Sequence, residues 1–88
     1  MRSFLATIVL ALIISTTHAQ SDQKLVDRYD KAVAAQNYTL ALKSAQEINA
    51  RYPDSATWNF NLGSMLARTN DPDGAIEALK KAADLGYT

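Results

Sequence analysis

Residues 70–73 read Asn-Asp-Pro-Asp, three oxygen-bearing side chains in four positions. Clusters of this kind open calcium-binding loops, where carboxylate and amide oxygens replace the hydration shell of the ion. A full loop of that type runs for about twelve residues and closes on an acidic ligand. Here Glu77 follows too soon, and Pro72 suits the first position of a helix, where its missing N–H costs nothing. The stretch reads better as a helix start. Asp71 is placed to accept from free backbone N–H groups, and Asp73 adds negative charge at the positive end of the helix dipole. No metal site and no cofactor are expected.

Other reactive side chains are few. His18 is the single histidine and lies in the apolar leader described below. Without it, Ser44, Ser55 and Ser64 have no imidazole partner to take a proton. The chain contains no cysteine, which excludes a disulfide framework, a thiolate zinc site and a cysteine nucleophile. Lysine or glutamate could serve as a base in principle, but no spacing suggests it. The expectation is a protein that is not an enzyme, with no catalytic residues. Asn37-Tyr38-Thr39 fits a glycosylation acceptor, yet asparagine is also an ordinary turn residue, and the turn is the preferred reading.

Nine basic and nine acidic residues balance over 88 positions. The length allows one small domain, and the balance gives no reason to expect nucleic acid. Residues 1–19, MRSFLATIVLALIISTTHA, have the layout of a secretory signal. Arg2 comes first, then an apolar run from Phe4 to Ile14 broken only by Thr7. Small residues at Thr17 and Ala19 would permit a cut after Ala19. As a helix the run is too short for a ~30 Å hydrocarbon core, at about 1.5 Å per residue. The expectation is a signal peptide at 1–19 and a helical domain at 20–88, secreted or periplasmic, with no membrane association after cleavage.

Four helices should position whatever function remains. The first runs from about Asp22 to Ala35, with Leu25, Tyr29, Ala32 and Val33 on one face. The second, about Tyr38 to Arg51, aligns Ala41, Leu42, Ala45 and Ile48 and stops before Pro53. Asp54 or Ser55 caps the third, whose apolar face is Trp58, Leu62, Met65 and Leu66. At those spacings Trp58 reads as core in preference to an exposed anchor. The fourth begins after Asp71, presents Ala75, Ile76, Leu79, Ala82 and Ala83 as a buried stripe, and ends at a left-handed Gly86. No strand is expected.

Shifted by 34 residues, the sequence partly overlays itself. Ala41 falls on Ala75, Leu42 on Ile76, Ala45 on Leu79, Ile48 on Ala82, and Asn37 on Asp71. Two helical hairpins at this period resemble tetratricopeptide repeats. The second unit carries the family's leucine–glycine pair at Leu62–Gly63, then Leu66, Ala75, Leu79 and Ala82. The first unit matches at Ala41, Ile48 and the closing Pro53. It departs by placing Tyr29 where the second unit has Gly63, and Trp58 stands one residue early for the family's aromatic.

The resemblance implies an all-α fold: a short α-solenoid of four antiparallel helices, in units of about 22–53 and 55–88. It also implies that the first helix of each unit lines a concave face that holds a partner peptide. By position from the Leu62–Gly63 pair, Phe60, Asn61, Ser64 and Arg68 would face that groove. Asp27 and Asp30, beside Val26 and Ala34, would do so in the first unit. Asn61 stands where relatives often hold a peptide backbone amide, which suits a side chain that both donates and accepts. The expected function is an exported module for protein–protein interaction or scaffolding, binding a partner peptide or helix. An alternative expectation is the front part of a larger secreted protein, one with an enzyme domain elsewhere. Self-association through the open end of the repeat stack is a further expectation.

Overall fold

A computed structural model describes residues 20–88, so the expected signal peptide lies outside the described residues. All regular structure among them is helical. Helix α1 covers residues 20–34, α2 covers Tyr38–Arg51, α3 covers Ala56–Arg68 and α4 covers Pro72–Asp84. Each of the last three starts on a side-chain cap. Asn37 accepts from Leu40 N–H, Ser55 from Trp58 N–H, and Asp71 from Gly74 N–H. These bonds satisfy backbone donors that have no partner in the first turn.

The helix ends repeat as faithfully as the starts. Gln36 and Asn70, 34 positions apart, both adopt left-handed backbone, with φ of 58° and 66°. Asn37 N–H then reaches back to Ala32 O at 2.8 Å, and Asp71 N–H to Leu66 O at 2.9 Å. Gly86, with φ of 97°, closes α4 in the same way, Tyr87 N–H bonding Ala82 O at 2.9 Å. This is the Schellman pattern, which turns the chain sharply and satisfies the last carbonyls. Glycine adopts it without strain; Gln36 and Asn70 carry a Cβ into it at some cost.

Helix α3 packs against both α2 and α4. Ala32, Ala41 and Met65 form the central buried cluster, with Tyr29, Val33, Tyr38, Leu40 and Leu42 against it. Leu25, Ala45, Ile48, Ala75, Ala78 and Ala82 are also buried. The α4 stripe differs from the expected one. Ala75, Ala78 and Ala82 face inward, whereas Ile76 is 52% exposed, Leu79 is 37% exposed and Ala83 lies on the surface. An apolar arc can span two adjoining helix faces; Leu79 sits at the edge that meets α3 at Gly63, and Ile76 lies beyond it. Trp58 is half-buried; its indole meets the Tyr29 ring edge-on, with centroids 5.1 Å apart.

The two hairpins close differently. In the second, a Cβ on Gly63 would lie 2.7 Å from Leu79 Cγ and 3.2 Å from the Ala75 carbonyl oxygen. Only glycine lets α3 and α4 approach so closely. In the first, Arg28 reaches across from α1. Its Nε donates to Ser44 Oγ at 2.8 Å and its Nη2 pairs with Glu47 Oε2 at 2.8 Å. Ser44, fully buried, also donates to Leu40 O at 3.0 Å. At the other end of this hairpin, Asp22 accepts from Arg51 and from the Tyr52 hydroxyl.

Candidate functional site

Helices α1 and α3 adjoin through Tyr29 and Trp58, so the six expected groove residues lie on neighbouring helices. None of the six is buried. Their surroundings divide them into three groups.

Asp30 and Arg68 share one neighbourhood. Both act on the Tyr29 phenol, whose pKa is raised by burial first and by the Asp30 charge second, against an opposing pull from Arg68. Arg68 lies over the Tyr38 ring, 4.8 Å from its centroid, and its Nη1 donates to the Tyr38 hydroxyl at 3.2 Å. This contact holds the guanidinium at the junction of α2 and α3 without neutralising it.

Asn61 and Ser64 follow on α3, both partly exposed. The Ser64 hydroxyl donates to Phe60 O at 3.0 Å, which leaves its oxygen lone pairs outward. The Asn61 amide makes no hydrogen bond among the described residues, so its donors and acceptor are available to a ligand.

Phe60 and Asp27 stand apart. The Phe60 ring is stacked on Tyr87, with centroids 4.2 Å apart and planes within 8°. Tyr87 follows the Gly86 cap and covers Phe60. Asp27 accepts from Gln23 at 2.9 Å and lines a hollow of about 470 Å³ formed by α1 and the start of α2, with Lys24, Arg28, Lys31, Ala32, Ala35, Asn37 and Leu40.

Several residues at or near these surfaces are not indicated by the sequence pattern. Asn59 is buried in α3 and ties the helix to the preceding turn, donating to Pro53 O at 3.0 Å and Ser55 O at 2.8 Å. Asn49 lines a second hollow, with Leu62, Leu66, Glu77 and Lys81 among its other walls, and its buried Nδ2 has no partner among the described residues. Tyr52 has a raised pKa because its hydroxyl donates to Asp22, whose charge adds to the effect. No spacing rule brings such partners together, since most of them are separated by a turn. Among the described residues no three histidine, cysteine, aspartate or glutamate side chains converge to hold a metal. Asp71, the candidate calcium ligand, is the α4 cap.

A family model for the tetratricopeptide repeat matches residues 27–86. The chain belongs to the tetratricopeptide repeat family. Tetratricopeptide repeats generally mediate protein–protein interaction and are typically non-catalytic. The match takes in the second half of α1 and nearly all of the rest of both hairpins, including Tyr29, which replaces the glycine of the second. No curated protein and no solved structure matches the chain. The tetratricopeptide hairpins account for the 34-residue recurrence of the Asn37 and Asp71 caps, the Gln36 and Asn70 left-handed turns and the buried Ala41 and Ala75.

Proposed function

We propose that this tetratricopeptide repeat protein is an exported docking module that binds an extended peptide or helix of a protein partner along α1 and α3. The observation that carries the reading is the free amide of Asn61, partly exposed on α3 in line with Ser64 and the held cation of Arg68. An amide that both donates and accepts can pair with the backbone of an extended chain. Arg68, fixed on Tyr38, supplies a positive point about two turns further along α3, and Asp30 a negative one on α1. A partner alternating apolar and charged side chains fits this surface. The residues do no chemistry on what they bind, so the protein acts as a scaffold.

Export rests on residues 1–19, with their single leading charge, short apolar run and small residues before Gln20. N-terminal sequencing of the accumulated protein should then begin at Gln20; a product beginning at Met1 or Arg2 would count against export.

Binding is tested with photo-crosslinking residues placed at Asn61 and, as a control, at the exposed Gln46 on α2. Cells expressing each variant should give a discrete adduct from position 61 and none of the same mass from position 46. Equal capture at both positions, or none at position 61, would remove the reading.

A further inference from the structure

The 34-residue register relates faces as well as residues, and it exposes an unmatched pair. Leu42 and Ala45 of α2 lie under cover, Leu42 against the Ala32–Ala41–Met65 cluster and Ala45 fully buried. Their counterparts on α4 are Leu79, which lies against Gly63 of α3, and Ile76, which is 52% exposed. The helix that covers α2 is α3, which carries Trp58, Leu62, Met65 and Thr69. The counterparts of those four on α1 are Lys24, Arg28, Lys31 and Ala35. These residues line the open hollow of about 470 Å³. One end of the molecule thus displays the projecting Ile76 side chain, and the other displays a recess in the matching register.

Charge agrees with this pairing. Around Ile76, helical spacing places Asp73, Lys80 and Asp84, all exposed, with one net negative charge. Around the hollow, Arg28 is committed to Glu47 and Ser44, which leaves Lys24 and Lys31 against Asp27, one net positive charge. Lysine is compatible with an apolar contact of this kind, because its methylene stem lies along apolar surface while the ammonium stays in water. Ala32, Ala35 and Leu40 give the recess an apolar floor.

We infer that the exposed face of α4, centred on Ile76, docks into the α1–α2 hollow of a second copy of this chain, extending the repeat stack head to tail. The contact is heterologous: each copy offers one of each face, so association continues beyond two copies unless it closes into a ring. It leaves the Asn61 surface untouched, so its failure and the failure of the docking reading are separate results.

The test uses protein expressed from the full sequence and purified as it accumulates, with Ile76→Arg blocking one face and Ala35→Arg blocking the other. Both positions are exposed, and circular dichroism checks that the helices persist; Ile76→Lys and Ala35→Lys replace any arginine variant that loses them. Sedimentation equilibrium of the unaltered protein should show an average mass that climbs past one chain with concentration. Each variant alone should sediment as one chain at every concentration. An equimolar mixture of the two should give a species of two chains and nothing larger, because only one intact pair of faces remains. Three results would overturn the inference. An unaltered protein that stays a single chain throughout leaves the α4 face to a different partner or a further repeat. Variants that associate like the unaltered protein place the contact elsewhere. A mixture that remains single chains shows that one intact α4 face and one intact hollow are not enough for association.

Discussion

The two hairpins share a period and differ in how they close. In the second, α3 and α4 meet through an absence: Gly63 has no Cβ, and Leu79 and the Ala75 carbonyl occupy the space. In the first, α1 and α2 meet through an addition: Arg28 spans the gap to Ser44 and Glu47. Tyr29, which stands in the glycine register, turns to Trp58 of the next unit. The same backbone architecture is therefore stabilised by close packing in one unit and by a part-buried polar network in the other. The lesson is that the repeat fixes where helices begin, end and cross, while the side chains filling each crossing are free to differ.

The comparison breaks most visibly at Gly63. Gly63→Leu should destabilise the protein by about 3 kcal/mol, the upper range for overpacking, seen as a lower midpoint in urea. Tyr29→Leu, at the equivalent position of the first unit, should cost clearly less because its side chain has room against Trp58. Equal losses would mean that the two crossings are alike after all.

The covered and uncovered faces give the next effect. Leu42→Ser should cost about 2 kcal/mol through lost burial, whereas Ile76→Ser should stay within about 0.5 kcal/mol at dilute concentration. The same urea measurement decides it, and a costly Ile76→Ser would mean that α4 is already covered in the single chain.

Much of this arrangement is legible in the sequence, and the limits have physical causes. Asp71, Pro72, Ser55 and Gly86 announce their roles because capping depends on a residue's own chemistry within one turn of chain. The 34-residue recurrence is legible for the same reason. The burial of Ser44 is not, since it depends on Arg28 sixteen residues away. Ile76 reads as core because a 3.6-residue period cannot tell which part of a wide apolar arc meets a neighbour. Among the groove residues, Asn61 is partly exposed on α3. The cover that Tyr87 places on Phe60 carries no periodic signal, because Tyr87 lies beyond the helix end. Gln36 in left-handed backbone is likewise hidden, as that conformation ordinarily selects glycine or asparagine.

Smaller effects sharpen the contrast. Arg28→Met, which keeps the stem and removes the charge, should cost about 1 kcal/mol, and Ser44→Ala, which installs the alanine found at the equivalent Ala78, should cost less. A Ser44→Ala loss larger than that of Arg28→Met would place the network's weight on the serine.

The alkaline limb is the smallest effect. Burial and Asp30 raise the Tyr29 pKa above its ordinary value near 10. The unfolded chain therefore loses this proton first. The contribution is fully present below pH 10 and is lost as pH rises through the folded-state value. Stability should decline in that alkaline window, less steeply in Tyr29→Phe; identical slopes would contradict the assignment to Tyr29.

The central claim is that two hairpins 34 residues apart stack as one unit, the second closed at Gly63 and joined to the first through Tyr29 and Trp58. Nuclear Overhauser contacts in the folded protein test it most directly. The account predicts contacts from the Gly63 Hα protons to the Leu79 methyl groups, together with contacts between the Tyr29 and Trp58 rings. Gly63 protons that meet no α4 side chain, or a Tyr29 ring that contacts α2 alone, would contradict it.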